Sequence, residues 1–150
     1  QQGADMTKSI AQILKLKGRE VHSIAPDATI YDALKVMADA GIGGLVVLDQ
    51  DEVIGVFTER DHVRKVDLEG RCSHRAFVHQ AMSEEICYVT PEVTVDEAMV
   101  IMTENRCRHL PVMEKGRLVG LVSIGDLVKA SLEEKDFVIK QLKKYIKGDQ

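Results

Sequence analysis

The sequence lacks what several protein classes require. It has three cysteines, Cys72, Cys87 and Cys107, an odd number without a CxxC pair. A disulfide framework is therefore not expected, and a reducing cytoplasm is the default location. A membrane span needs about 18 consecutive apolar residues, and no such run exists. No basic stretch followed by an apolar one opens the chain, which argues against a secretory signal. Positive charge is not in excess. The formal net charge of −4 disfavours general nucleic-acid binding, since phosphate backbones demand a basic face. A small anionic ligand remains possible, because it needs only a few local donors. There is no Walker loop and no GxGxxG, so a dinucleotide would not be held in Rossmann fashion. No motif contains both a nucleophile and a base, and an enzyme is not expected.

What the sequence has is an internal repeat. Shifted by 65 residues, His22 to Val63 lies over Cys87 to Val128 without a gap. Pro26 falls on Pro91, Thr29 on Thr94, Ala33 on Ala98, Met37 on Met102, Gly55 on Gly120 and Asp61 on Asp126. Each copy is one supersecondary unit that must bury its apolar face on a neighbour. At 150 residues, with 45% apolar and 29% charged residues, the chain suits one soluble domain or two half-domains. The expected division is a first repeat with its N-terminal helix (9–66), a linker (67–81), a second repeat (82–132) and a helical tail (133–150).

The pattern within each copy predicts β-α-β-β-α, a mixed α/β (α+β) class. Ahead of the first copy, Ser9 caps a short helix carrying Ile10, Ile13 and Leu14 and ending at Lys17-Gly18. Short extended pieces, Ser23-Ile24 and Tyr88-Val89, lead each copy into a proline. Thr29-x-x-Asp32 and Thr94-x-x-Glu97 are capping-box patterns that open helices with Ile30, Ala33, Leu34 and Met37, or Val95, Ala98, Met99 and Met102, at helical spacing. Leu45–Leu48 with Val53–Phe57, and Leu110–Met113 with Leu118–Val122, read as hairpins. A second helix starts at Thr58 or Ser123. The lysine-bearing segment from Glu133 to Ile146 predicts a further helix, packed on the module or on a dimer mate.

Chemistry concentrates where the hairpin runs into the second helix: Gly55-Val56-Phe57-Thr58-Glu59-Arg60-Asp61 and Gly120-Leu121-Val122-Ser123-Ile124-Gly125-Asp126. A helix N-terminus offers unpaired N–H groups and a dipole suited to an anion. The hydroxyl of Thr58 or Ser123 adds a donor for phosphate, and the carboxylate of Asp61 or Asp126 can accept both hydroxyls of a ribose. The alternative is a plain capping box that binds nothing. Occurrence in both copies, each after a glycine-bearing strand, favours the ligand site.

These motifs resemble a tandem pair of cystathionine-β-synthase (CBS) domains, a Bateman module, over residues 9–132. The shared features are the Thr-x-x-[DE]-Ala helix starts with Ala33 and Ala98, and the closing [ST]-x-x-D in both copies. Phe57-Thr58-Glu59-Arg60-Asp61 and Arg106-Cys107-Arg108-His109-Leu110-Pro111-Val112 are similar to runs in stand-alone CBS proteins. The resemblance implies two small sheets related by a pseudo-twofold axis, with two clefts for AMP, ADP, ATP, S-adenosylmethionine or NAD(H). Carried over, Phe57, Thr58 and Asp61 would work with Cys87, Arg108 and His109. Val122, Ser123 and Asp126 would work with His22, Gly43 and Gly44. Arg60 stands where the second copy has Gly125, so it could reach a phosphate. One cationic and one roomy cleft would suit two ligands, for instance AMP and NAD.

The expected function is a cytoplasmic adenine-nucleotide sensor, a homodimer acting on an effector protein in trans, with no catalytic cofactor, nucleic acid or membrane partner. One rival is a dimerisation module with vestigial clefts. Another uses Cys72, His74 and His79 as metal ligands, although their spacing matches no established zinc pattern. His62 and Glu59 read as surface residues.

Overall fold

The computed structural model describes residues 8–134 and Lys140. The remainder of the helix expected over 133–146 lies outside the described residues. In chain order the elements are α1 (Ile10–Lys17), β1 (Ser23–Ile24), α2 (Ile30–Ala40), β2 (Gly44–Asp49), β3 (Glu52–Thr58) and α3 (Glu59–His62). After a π turn at Val63–Asp67 and a 3-10 turn at Val78–Gln80 come α4 (Val95–Asn105), β4 (His109–Glu114), β5 (Arg117–Ser123) and α5 (Ile124–Glu134). The chain divides into two compact units, Glu20–Tyr88 and, for the rest, residues up to Arg19 together with those from Val89 onward.

Both units are built alike because both sequences carry the same local instructions. The Thr29 hydroxyl accepts from the Asp32 N–H at 3.1 Å, and the Asp32 carboxylate accepts from the Thr29 N–H at 3.4 Å. Thr94 and Glu97 exchange the same pair of bonds at 3.1 and 2.9 Å. Each reciprocal cap satisfies two N–H groups that the first turn leaves without helical partners. The two threonine hydrogen bonds hold the exposed Glu97 carboxyl below its ordinary pKa. Ile30, Ala33 and Met37 form the buried stripe of α2, and Val95, Ala98 and Met102 that of α4.

In the first unit β1 runs parallel to β2, and β2 runs antiparallel to β3. In the second, β4 and β5 pair antiparallel, and Val89 alone bridges Val112 in parallel where β1 stands in the other unit. The ladder shifts register at Val47/Leu48 and at Val112/Met113, one repeat apart. Both hairpins turn through two left-handed residues, Gln50-Asp51 and Lys115-Gly116. That is the backbone a tight two-residue turn needs to follow the strand twist.

Each unit completes its core with chain from outside the β-α-β-β-α run. In the first unit the segment between the repeats does so. Ala76, Val78 and Ala81 are buried with Ile30, Ala33, Leu45, Val47 and Phe57. The Ala76 carbonyl accepts from the Ile30 N–H at 2.9 Å, and the Ala28 carbonyl accepts from the Val78 N–H at 2.9 Å. Residues 67–81, read from sequence as an exposed linker, are thus partly core. The correction follows from three small apolar residues that the polar run 71–75 masks. In the second unit α1 plays this part. Ile10, Ile13 and Leu14 are buried, and the Ile10 N–H donates to the Val93 carbonyl at 2.8 Å. The sequence division kept this helix with the first repeat, whereas it packs with residues 89–134.

The repeat's shared glycines mark where these covering segments press down. A Cβ on Gly120 would lie 2.6 Å from Leu14 Cδ2, and one on Gly55 would lie 2.7 Å from Met82 Sδ and 2.9 Å from the Ser83 carbonyl oxygen. Ser83 is fixed by exchanging hydrogen bonds with Val56 at 2.8 and 3.0 Å. Gly55→Ala should therefore cost about 1–3 kcal/mol, and Gly120→Ala less, because Leu14 can turn aside. Urea midpoints test this, and equal costs would sink it. Arg106, at φ 55°, caps α4 in the left-handed region where Gly41, at φ 68°, caps α2. Relief of side-chain crowding there, about 1–2 kcal/mol, exceeds the added entropy loss of glycine, about 0.5–1. Arg106→Gly should raise stability in the same assay, by roughly the difference.

Candidate functional site

The two strand-to-helix junctions form the same device in both units. Thr58 and Ser123 end β3 and β5 in extended backbone, and the following residues begin a helix. The Thr58 hydroxyl accepts from the Asp61 N–H at 3.2 Å, while Asp61 Oδ2 accepts from the Thr58 N–H at 3.0 Å and from its hydroxyl at 3.1 Å. Ser123 Oγ accepts from the Asp126 N–H at 3.2 Å, and Asp126 Oδ2 accepts from the Ser123 N–H at 2.8 Å. The capping box offered as the alternative is thus formed twice, and the Thr58 proton is committed to Asp61. The cap leaves acceptor capacity. A carboxylate has about four lone-pair sites, and in both cases the cap uses Oδ2. The side chains of Asp61 and Asp126 are 13% and 25% exposed, so each remains reachable from solvent.

A lysine stands beside each carboxylate. Lys65 Nζ, one helical turn on, lies 3.5 Å from Asp61 Oδ1 and 3.5 Å from the Met82 carbonyl oxygen. Lys17 Nζ, from the end of α1, lies 2.6 Å from Asp126 Oδ2 and 2.7 Å from the Leu121 carbonyl oxygen. Lys17 was missed in the sequence, where it reads only as the basic last turn of a helix. The one available signal was the mismatch of Lys65 with Ala130 at the same repeat position.

The other expected site residues fall as follows. Gly44 pairs with Thr58 across the hairpin, and the Gly43 carbonyl accepts from the Glu59 N–H at 3.1 Å. His109 pairs with Ser123, and the Arg108 carbonyl accepts from the Ile124 N–H at 2.9 Å. Each turn is thereby held against the motif of its own unit. Gly43 is less open than the sequence suggests, since Glu59 Oε1 lies 2.9 Å from where its Cβ would be. Arg60, Arg108 and Gly125 are exposed, and His22 and Cys87 are half-buried. Phe57 and Val122 lie at the strand ends, next to Thr58 and Ser123. Both are 0% exposed, so their side chains belong to the core and their backbone is what remains to face a ligand.

His62 is half-buried rather than superficial. Its Nε2 lies 3.5 Å from both Asp67 Oδ1 and Ser73 Oγ. His74 stacks on Tyr31 at 4.2 Å and His79 on Phe77 at 5.6 Å, while Cys72 is exposed. Among the described residues no three His, Cys, Asp or Glu side chains are grouped to hold a metal, and no helix is long and apolar enough to cross a membrane.

The family model for the CBS domain matches residues 10–64 and 78–133. The chain belongs to the CBS domain family. It is 39% identical over 149 residues to the mitochondrial CBS domain-containing protein CBSX3 of Arabidopsis thaliana, covering 93% of this chain and 72% of that one. A CBS-domain structure from Burkholderia ambifaria, provisionally described as a signal-transduction protein, is similar with a TM-score of 0.81 and 46% identity, over 84% of this chain and 95% of that one. The hexameric CBS-CP12 protein of bloom-forming cyanobacteria is similar with a TM-score of 0.75 and 27% identity, over 96% and 88%. The fold is the α+β CBS pair, with two small sheets. CBS domains generally bind adenosine ligands and regulate partners, and stand-alone CBS proteins are regulatory rather than catalytic.

Partial burial of Asp126 works to raise its pKa, but the hydrogen bonds from Lys17 and Ser123, with the ammonium charge, outweigh it. The carboxyl therefore sits below its ordinary 3.8. With the folded value below the unfolded one, this stabilisation is complete above pH 3.8 and is lost as pH falls through the folded value. In Lys17→Met burial meets less opposition, and the Asp126 titration should move upward. Carbon-13 NMR of the side-chain carboxyl reads this directly, and an unmoved midpoint would show that the ion pair does not form in solution.

Proposed function

We propose that this CBS pair is an adenine-nucleotide sensor. The observation that carries the reading is the recurrence, at equivalent places in both units, of a capped strand-to-helix junction. Each presents a partly exposed carboxylate with an ammonium beside it. A helix N-terminus favours phosphate, and a carboxylate with spare acceptor sites favours a ribose diol. Their combination fits AMP, ADP or ATP, and NAD(H) as an extended alternative. Thr58, Asp61, Ser123 and Asp126 are the central residues, with Arg60, Arg108 and His109 available to phosphate.

The sensor works without a catalytic step, in the cytoplasm, as a homodimer that acts on an effector in trans. The hexameric CBS-CP12 relative supports self-association. Ligand would act through unequal affinity for two arrangements of the protein, since equal affinity shifts nothing. The scaffold reading keeps one specific support, the completed capping boxes, which stabilise the helices without any ligand.

A thermal-shift panel with AMP, ADP, ATP, NAD, NADH and S-adenosylmethionine separates the two. A ligand at about 100 times its Kd should add roughly 2.7 kcal/mol of stability. Because both aspartates are also caps, Asp61→Ala and Asp126→Ala should each lower the ligand-free stability by about 0.5–2 kcal/mol. The ligand-induced increment is therefore the quantity to compare. One nucleotide whose increment disappears in one of these variants supports the sensor. No increment with any of the six leaves the junctions as helix caps and the protein as a scaffold.

A further inference from the structure

Both site carboxylates have a lysine ammonium as neighbour, yet the repeat does not conserve its source between copies. In the first unit the ammonium comes from Lys65, four residues after Asp61 on the same helical segment. The equivalent position after Asp126 is Ala130, which is buried to 4% exposure. It lines an open groove with Ile13, Leu16 and Lys17 of α1. The ammonium is supplied instead by α1 itself, through Lys17, and it again bridges the carboxylate and a backbone carbonyl, here that of Leu121. Both copies thus place an ammonium beside the carboxylate, at 3.5 Å from Asp61 Oδ1 and 2.6 Å from Asp126 Oδ2, from residues that sequence alignment of the repeats does not superpose.

We propose that Lys17 is a specificity-determining residue of the Asp126 site, selecting ligands that carry an anionic group next to a diol over neutral nucleosides. The proposal rests on the nucleotide reading of that site and says what Lys17 adds to it. A bare carboxylate placed to accept a diol repels the phosphate attached to the same sugar. An ammonium on that carboxylate cancels the repulsion. Its flexible four-carbon stem also lets it turn to the phosphate while staying near the carboxylate. Lys17 is suited to this movement because its side chain is 37% exposed and ends at the groove rather than in the core. A purely structural counter-ion for Asp126 would affect adenosine and AMP alike. A specificity residue changes their ratio.

The test uses the full chain carrying Asp61→Ala, so that binding is confined to the Asp126 site, and calorimetric titration with adenosine and with AMP. In this background Lys17→Met should reduce the preference for AMP over adenosine by about tenfold, leaving adenosine affinity nearly unchanged. Lys17→Arg retains the charge and should keep most of the preference. A preference that is the same with lysine, arginine and methionine overturns the proposal while leaving the nucleotide reading intact. A background protein that binds neither compound, and still binds neither after Lys17→Met, overturns both. Circular dichroism on each variant confirms that the comparison is between folded proteins.

Discussion

Each small sheet depends on a covering segment pressed against a glycine. A hairpin and one helix, at the length of a CBS repeat, sit near the limit of about 40 residues below which a lone core is marginal. The missing apolar surface comes from Ile10, Ile13 and Leu14 of α1 in one unit, with Leu14 over Gly120, and from Ala76, Val78, Ala81 and Met82 in the other, with Met82 over Gly55. A methyl group at either glycine would hold the cover away. The glycines that precede the [ST]-x-x-D motif thus serve packing directly.

From that packing the electrostatics follow. Because α1 packs on β5 and shares a groove with α5, its last lysine reaches Asp126, and Ala130 lies buried beside it. Where the cover is an irregular segment, as at 82–83, the helix after Asp61 has room to keep its own lysine, and Lys65 reaches both Asp61 and the Met82 carbonyl. One cover contributes an ammonium and the other a carbonyl. The carboxylates end in comparable surroundings although the neighbouring side chains are not homologous by position. Retention of the motif's glycine, hydroxyl and aspartate and divergence of its environment are both consequences of how each unit closes its core.

At the carboxylates the capping boxes and the proposed binding role do not compete for the same oxygen, whereas at Thr58 the cap already uses the hydroxyl proton. A reciprocal cap uses the hydroxyl and one carboxylate oxygen to satisfy helix N–H groups, and it holds the carboxylate in a single orientation. A diol needs acceptor sites already fixed in place, which lowers the entropy lost on binding. The junction at Thr58 is the tighter of the two in this respect, since its hydroxyl also donates to Asp61. At Ser123 the Lys17 ammonium takes the comparable place on Asp126.

The sequence by itself determined the repeat, the β-α-β-β-α order (its first strand reduced to a single bridge in the second unit), the three capped helix starts at Ser9, Thr29 and Thr94, both hairpins, and the two [ST]-x-x-D junctions. All of these are local, written within a few residues by capping chemistry, turn backbone and periodicity. It also determined the family, because those local signals recur at a fixed spacing. It placed Phe57 and Val122 in the motif but not their direction, since strand alternation fixes a face only once the core side is known. Only the tertiary structure decided that α1 packs with residues 89–134, that Ala76, Val78 and Ala81 are core, and that Lys17 meets Asp126. These depend on contacts between residues far apart in the chain, where burial and close approach select partners that no local pattern encodes.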